Sequence, residues 1–523
     1  MKRGDLALAV LVWACFAGVV LYRTSLPGIN EPQYLCKAKH FYAPEWCARD
    51  MFLDSANAHW VFYAVIGPLT RIATLDQTAV IGRALAWACL AWSWVRLARL
   101  WLTGRWSPVV AACLFLCLQA WGNFSGEWVV GGVEAKCFAY TALLHALAGV
   151  CEKSYRQAAA ALGLAISFHP VVGAWGAICL GLAQAGPMIA AWWPARPSLP
   201  SRSAEEFTPP ASRARAFIRE WGVPGLLCLG LSLPGLIPAL QMIATVPSTE
   251  LARQADAIQV FERLDHHLDP TDFPRANYVL YAVGLVLWLP WAWLRRSSRP
   301  QCVFARFVLA TLFIASAGLV VGIVFRSAGL MKFYPFRLFD LFLPLAVALA
   351  ATEMLECLFA SPRWAAHSKG ARLAAWAGPV VAGLALLGAL RAPGKYSNPS
   401  HMQPDNWMAF VDACHWIDEH TPADALFLTG RMNVGFKWYA QRAEYVTWKD
   451  CPQDAAGILE WKRRLQQIKA WRAESAEDGI SAEEAAALAA DTGIDYVLTW
   501  YTEAWQIEPV YRNSALCVYR LAK

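Results

Sequence analysis

The chain has 523 residues, of which 57% are apolar and only 16% charged, with a mean hydropathy of +0.33. A soluble domain carries about 25% charged residues, so this composition excludes an ordinary soluble globular protein. The formal net charge is +7. The arginines lie in short loops between apolar runs, which is the positive-inside pattern of membrane proteins and not a nucleic-acid footprint.

The N-terminus, Met1-Lys2-Arg3 followed by the apolar run Leu6 to Leu21, has the outline of a signal peptide. Tyr22-Arg23 and Pro27 follow in place of a small-residue cleavage site, so the segment reads as an uncleaved first span. Apolar runs at 5–22, 79–99, 222–245, 276–294, 303–325, 337–358 and 374–392 are each near the roughly 20 residues a bilayer core needs. Shorter runs lie at 107–122 and 134–151. The run 157–186 is too long for one simple span and has His169-Pro170 in its middle. Proline interrupts the helical ladder, so two short helices meeting near the outer face are expected there.

The predicted fold is therefore a polytopic α-helical membrane protein of about eleven spans. With the N-terminus inside, each inner loop is basic: Arg96, Arg99 and Arg105; Lys153 and Arg156; Arg196, Arg202, Arg213, Arg215 and Arg219; Arg295, Arg296 and Arg299; Arg363, Lys369 and Arg372. Making 57–75 a span would put the first of these groups outside. Residues 57–75 instead read as a membrane-hugging part of the first outer loop, 23–78, with a break at Gly67-Pro68. The Pro-, Ser- and Arg-rich stretch 187–221 reads as a flexible inner linker without chemistry. Tryptophan is abundant, at 27 residues, many of them near the ends of apolar runs, where interfacial aromatic belts form.

After residue 392 the composition turns polar. Helical patterns at 407–420, 454–474 and 481–491 alternate with short apolar strands at 425–428, 445–448, 496–499 and 516–519. That alternation predicts a small α/β domain over 393–523, following a transmembrane core over 1–392. An odd number of spans puts the domain outside the cell, with the N-terminus cytoplasmic and the protein in the inner membrane.

The residues able to carry chemistry crowd the outer loops. The first holds Glu31, His40, Asp50 and His59, and a carboxylate near a bound hydroxyl can act as a general base. The bland reading is a solvated loop of surface pairs. In the second, Glu127 precedes Gly131-Gly132-Val133-Glu134-Ala135-Lys136, which opens a membrane helix. Unpaired charge is costly at that depth, so Glu134 and Lys136 are either a functional pair or a helix-capping one. His169 is a packing histidine or a vestibule residue.

The run Glu262-Arg263-Leu264-Asp265-His266-His267-Leu268-Asp269 makes His266, His267 and Asp269 candidate ligands of a divalent cation, or His266 and His267 substrate contacts. Arg326, Lys332 and Arg337 surround Tyr334-Pro335-Phe336. A guanidinium at a membrane surface suits a phosphate group. Arg337 and Asp340, three apart on a helix, are also positioned to pair with each other. Cys36 and Cys47 share the first outer loop as a candidate disulfide. No nucleotide-binding loop, Rossmann glycine fingerprint, serine elbow or HExxH motif occurs, which argues against an ATP-driven pump or a zinc protease.

The whole arrangement resembles the C-type (GT-C) membrane glycosyltransferases. Asn30-Glu31-Pro32-Gln33-Tyr34 looks like the acidic start of that family's first outer loop, Cys47-Ala48-Arg49-Asp50 supplies a second carboxylate, and Tyr334-Pro335-Phe336-Arg337 looks like its late lipid-phosphate arginine. The resemblance implies transfer of a sugar from a polyprenyl-phosphate donor to an acceptor at the extracytoplasmic face. Glu31 or Asp50 would be the base. Arg337, with Lys332 or Arg326, would meet the phosphate. The family commonly has Asp-Glu or a lone Asp where this chain has Asn30-Glu31, so the base stays open between the two carboxylates. The implied partners are the bilayer, the lipid-linked sugar and an acceptor, with no nucleic acid. The rival readings are a non-catalytic assembly protein of the same architecture and a transporter. The latter usually needs polar residues at mid-membrane and internal repeats.

Overall fold

The computed structural model describes residues 3–28, 30–192, 210–244, 248–360, 368–395, 397–430, 434–474 and 479–521. The apolar runs are carried by the helices α1 (Arg3–Arg23), α5 (Leu75–Ala98), α6 (Ser107–Trp121), α7 (Ala135–Cys151), α8 (Tyr155–Phe168), α9 (Pro170–Trp192), α10 (Pro210–Ala244), α13 (Arg275–Leu294), α14 (Arg299–Ile323), α16 (Arg337–Phe359) and α17 (Ser368–Arg391). Among the described residues six helical stretches are long and apolar enough to cross a membrane, and shorter apolar helices accompany them. The chain is a polytopic α-helical membrane protein with a small C-terminal sheet domain.

The burial pattern has the bilayer's logic, because lipid tails are as apolar as a core. Leu226 of α10, Val286 of α13 and Phe313 of α14 are 71%, 70% and 66% exposed. Helix α16 lies in the middle of the bundle with most of its residues buried, including Phe342 and Leu349. His169 separates α8 from α9, with Pro170 opening the second helix, as the proline predicts.

Helices α8 and α10 cross at backbone distance. The Ser167 hydroxyl donates to the Leu231 carbonyl at 2.6 Å. A Cβ on Gly235 would lie 2.1 Å from the Ser167 carbonyl oxygen. Small residues are what allow such close crossings.

Ion pairs mark one end of the bundle. Arg99 meets Asp5, Arg96 meets Glu152, and Arg295 meets Glu353. Glu356 accepts from the Thr103 and Gly104 amides. Arg337, at the other end of α16, belongs to the opposite pole. Of the expected linker 187–221, residues 193–209, with Arg196 and Arg202, lie outside the described residues, as does Arg363. The described flanks are helical, in α9 and α10.

At the Arg337 pole the first long loop folds into α2 (Glu31–Tyr42), α3 (Met51–Asp54), α4 (Trp60–Ile66) and a 3-10 turn over Gly67–Arg71. The turn begins at the Gly67-Pro68 break. Segment 248–274 forms α11 (Thr249–Ile258), a π-turn at Gln259–Arg263 and α12 (Asp265–Leu268); α15 (Ala328–Met331) precedes α16. The C-terminal domain contains α18 (Pro404–His420), α19 (Phe436–Ala440), α20 (Ala455–Glu474) and α21 (Ala482–Thr492). They pack around a mixed sheet of β1 (Leu426–Leu428), β2 (Ala443–Glu444), β3 (Tyr496–Trp500), β4 (Tyr511–Arg512) and β5 (Leu516–Arg520), in the order β2-β1-β3-β5-β4. β1 pairs in parallel with β2 and β3, while β5 runs antiparallel to β3 and β4.

The strand expected at 445–448 is displaced to Ala443–Glu444. After the Tyr445 amide donates to Phe427, the chain leaves the sheet, and the Thr447 carbonyl accepts from the Trp461 indole instead.

The sheet domain and the first loop share one apolar cluster that includes Leu35, Phe62, Leu426 and Trp461. Cys36 and Cys47 lie buried in it as free thiols, so the candidate disulfide is not formed. Gly235→Ala should destabilise the α8–α10 contact by about 1–3 kcal/mol, the usual cost of overpacking. The check is a lower melting temperature in detergent than for Gly230→Ala, since nothing lies within 4 Å of a Cβ at Gly230.

Candidate functional site

A cavity of about 180 Å³ lies at the Arg337 pole, between the bundle and the sheet domain. Six parts of the chain line it: α2 at Asn30 and Tyr34; α4 at His59; the loop before α7 at Glu127 and Glu134; the α8–α9 junction at His169; segment 259–267; and α16 at Arg337, with Lys449 of the sheet domain closing it.

Asp340 builds one wall. Its buried carboxylate accepts from the backbone amides of Phe124, Ser125 and Glu127 and from the Ser125 and Tyr281 hydroxyls. The expected Arg337–Asp340 pair is therefore absent, because Asp340 is spent on the loop. That loop turns at Gly126, with φ +80°, where a Cβ would strike the His267 ring at 2.5 Å. The turn presents Glu127 to Arg337, at 2.8 Å. Arg337 also donates to His169 Nε2 at 3.1 Å and lies 3.9 Å from the Tyr334 ring centre. Lys136 sits 3.5 Å from both Glu127 and Glu134, and 4.0 Å from the Trp128 ring centre.

Glu134 also accepts from the Asn30 amide at 2.8 Å, and the Asn30 carbonyl accepts from Lys449 at 2.8 Å. Four cations (Lys136, Arg263, Arg337 and Lys449) and two carboxylates (Glu127 and Glu134) line the cavity, a balance of +2 from these six groups. Burial, reinforced by the Arg337 charge, holds His59 down to about 3. Burial, then His266, does the same for His267, whose Nδ1 donates to the Ser125 carbonyl at 2.6 Å. Burial, reinforced by Arg263, lowers Lys449 to about 8. The lining thus suits an anionic ligand.

Of the residues singled out in the sequence, His59, Glu127, Glu134, Lys136, His169, His266, His267 and Arg337 meet in this cavity. Glu31, Asp50, Asp269, Arg326 and Lys332 do not line it. Glu31 is buried under Arg83, which reaches both of its oxygens, and it also accepts from the Gly28 and Val133 amides at 2.6 and 2.8 Å. Asp50 caps α3 and faces Lys437 of the sheet domain at 3.1 Å. Neither carboxylate lines the cavity in this structure, and their partners tie the first loop to α5 and to the sheet domain.

Lys332 pairs with Asp256, and Arg326 with Asp269, so the three cations do not converge. Asp269 is also held by Thr271 and does not join His266 and His267. Among the described residues no cluster of three or more metal-ligating side chains occurs. Lys449 and Arg263 lacked a local signal. They reach the cavity only because the sheet domain folds back over the loop between spans.

Over 98% of its length the chain superposes on 96% of ArnT from Cupriavidus metallidurans, solved bound to undecaprenyl phosphate, with a TM-score of 0.51 and 12% identity. The chain therefore shares the fold of ArnT. Two other solved proteins align more loosely. One is the archaeal oligosaccharyltransferase AglB from Archaeoglobus fulgidus, in complex with an inhibitory peptide and a dolichol-phosphate, with TM-score 0.46, 12% identity, and 95% and 69% of the two chains covered. The other is the arabinosyltransferase EmbB from Mycobacterium smegmatis, with TM-score 0.39, 15% identity, and 79% and 43% covered. A domain of unknown function, DUF6798, matches residues 408–468. No curated protein matches the chain. Within this fold the cavity lies where the span bundle meets the sheet domain.

Two of the cavity's histidines make stability depend on pH. Unfolded histidine titrates near 6.5, while His59 and His267 stay neutral in the fold down to about 3. The unfolded chain therefore binds more protons between those values, and stability falls as pH drops through that window. The melting temperature in detergent should fall from pH 7.5 to pH 5.0, and fall less in His59→Phe. A flat wild-type profile would contradict neutral histidines.

Proposed function

We propose that the protein transfers a sugar from a polyprenyl-phosphate donor to an acceptor hydroxyl, in the cavity beneath the sheet domain. One observation carries this reading: a buried carboxylate, Glu134, shares a cationic cavity with Arg337 and Lys136 at one pole of a C-type fold. ArnT, of which this chain covers 96%, was solved bound to undecaprenyl phosphate, which supports a lipid-linked donor here. A separate apolar groove of about 80 Å³ between α6, α13 and α16, lined by Leu118, Leu280, Leu343 and Pro344, would suit an isoprenoid chain.

Glu134 takes the proton from the acceptor hydroxyl, and the oxygen attacks the anomeric carbon of the sugar. The bond from that carbon to the phosphate oxygen breaks, and the phosphate leaves with the electron pair. Arg337 and Lys136 meet the charge that develops on it, and such positioned cations act most strongly in a water-poor site. Tyr34, stacked on His59, forms the side wall. The cavity faces the extracytoplasmic side in this reading, with the N-terminus cytoplasmic. The basic groups at the far pole, Arg96, Arg99 and Arg295, support that orientation.

The test uses membranes containing the protein and radiolabelled undecaprenyl-phosphate pentoses and hexoses. Label should pass to a delipidated product. Glu134→Gln should slow transfer about 10²–10⁴-fold while the purified variant still binds undecaprenyl phosphate. Transfer at the wild-type rate in Glu134→Gln, or no transfer from any of these donors, would overturn the proposal.

A further inference from the structure

The cations of the cavity fall into two kinds. Arg337 and Lys136 face carboxylates at 2.8 and 3.5 Å. Among the described residues Arg263 and Lys449 face none. Arg263 is 9% exposed, and its Nε has no hydrogen-bond partner. Its one hydrogen bond runs from Nη2 to the carbonyl of Lys449 at 3.0 Å. Among the described residues the Lys449 ammonium donates only to neutral Asn30, at 2.8 Å, which leaves two of its three protons without an acceptor there. Two adjacent cations without a counter-charge are costly to bury unless an anion joins them.

Their origins differ as well. Arg337 and Lys136 stand on helices of the span bundle, α16 and α7. Lys449 hangs from the sheet domain and Arg263 from the loop between spans. Asn30 links the two regions, since it accepts from Lys449 and donates to Glu134.

We infer that Arg263 and Lys449 form a second anion subsite, which holds a phosphate or carboxylate group on the acceptor and so brings the acceptor hydroxyl to Glu134. The inference rests on the proposed transfer and adds the class of its acceptor: a molecule bearing an oxyanion near the hydroxyl that is glycosylated. Both residues are binding residues. The guanidinium offers a fork to the oxyanion, and the ammonium a point charge from the other side.

The experiment measures binding of inorganic phosphate and of undecaprenyl phosphate to the full-length protein in nanodiscs. Phosphate should bind wild type with the same affinity whether or not undecaprenyl phosphate is already saturating. Lys449→Gln and Arg263→Gln should each weaken phosphate binding at least tenfold and change undecaprenyl phosphate binding less than threefold. Lys449→Arg should retain phosphate binding. Displacement of phosphate by undecaprenyl phosphate in wild type would assign these cations to the donor headgroup and overturn the inference, without needing a variant to fold. Unchanged phosphate binding in both Gln variants would overturn it too. Absence of undecaprenyl phosphate binding in wild type would instead count against the donor reading, whatever phosphate does.

Discussion

The buried carboxylate of Asp340 anchors the site. Three backbone amides and two hydroxyls converge on it. A carboxylate at the edge of an apolar bundle is tolerable only with such saturation. The result is a loop clamped to α16, with Glu127 aimed at Arg337. Glu127 in turn reaches Lys136, and Lys136 reaches Glu134. Four charged side chains from two helices and one loop thus take fixed positions because one aspartate three residues after Arg337 holds the loop between them. The same constraint explains why Arg337 and Asp340 ignore each other despite their favourable helical spacing.

A second group of buried charges sets the other wall. Lys437 of the sheet domain is surrounded by Asp50, Glu444 and Asp450. Asp50 comes from the first loop, and Asp450 follows Lys449 in the chain. The cluster pins the sheet domain to the loop and carries Lys449 to the cavity. Arg49, which pairs with Asp495, reinforces the same junction. The first loop and the C-terminal domain are therefore one structural unit, although more than 300 residues separate them in sequence.

Much of the architecture was legible from residue types. The apolar runs became helices because hydrophobic length at a bilayer leaves the backbone little alternative. His169-Pro170 divided a long run into two helices, and the sheet domain's helices fell where the periodicity put them. Glu134, Lys136 and Arg337 were visible as charges opening apolar helices, a position that local sequence marks clearly. The roles of Glu31 and Asp50 were not, since a carboxylate beside a loop looks the same in sequence whether it faces a cavity or an arginine. Arg83, the partner that occupies Glu31, stands 52 residues away on α5. Lys449 and Arg263 were equally hidden, because their meeting is a product of tertiary packing alone.

The central claim is that this cavity receives the phosphate of a lipid-linked sugar. The most direct measurement is a cryo-EM map of the protein in nanodiscs saturated with undecaprenyl phosphate. The predicted result is phosphate density in the cavity, against Arg337 and Lys136, with the isoprenoid chain leading toward the spans. Phosphate density elsewhere on the molecule, or an empty cavity at saturating lipid, would contradict it.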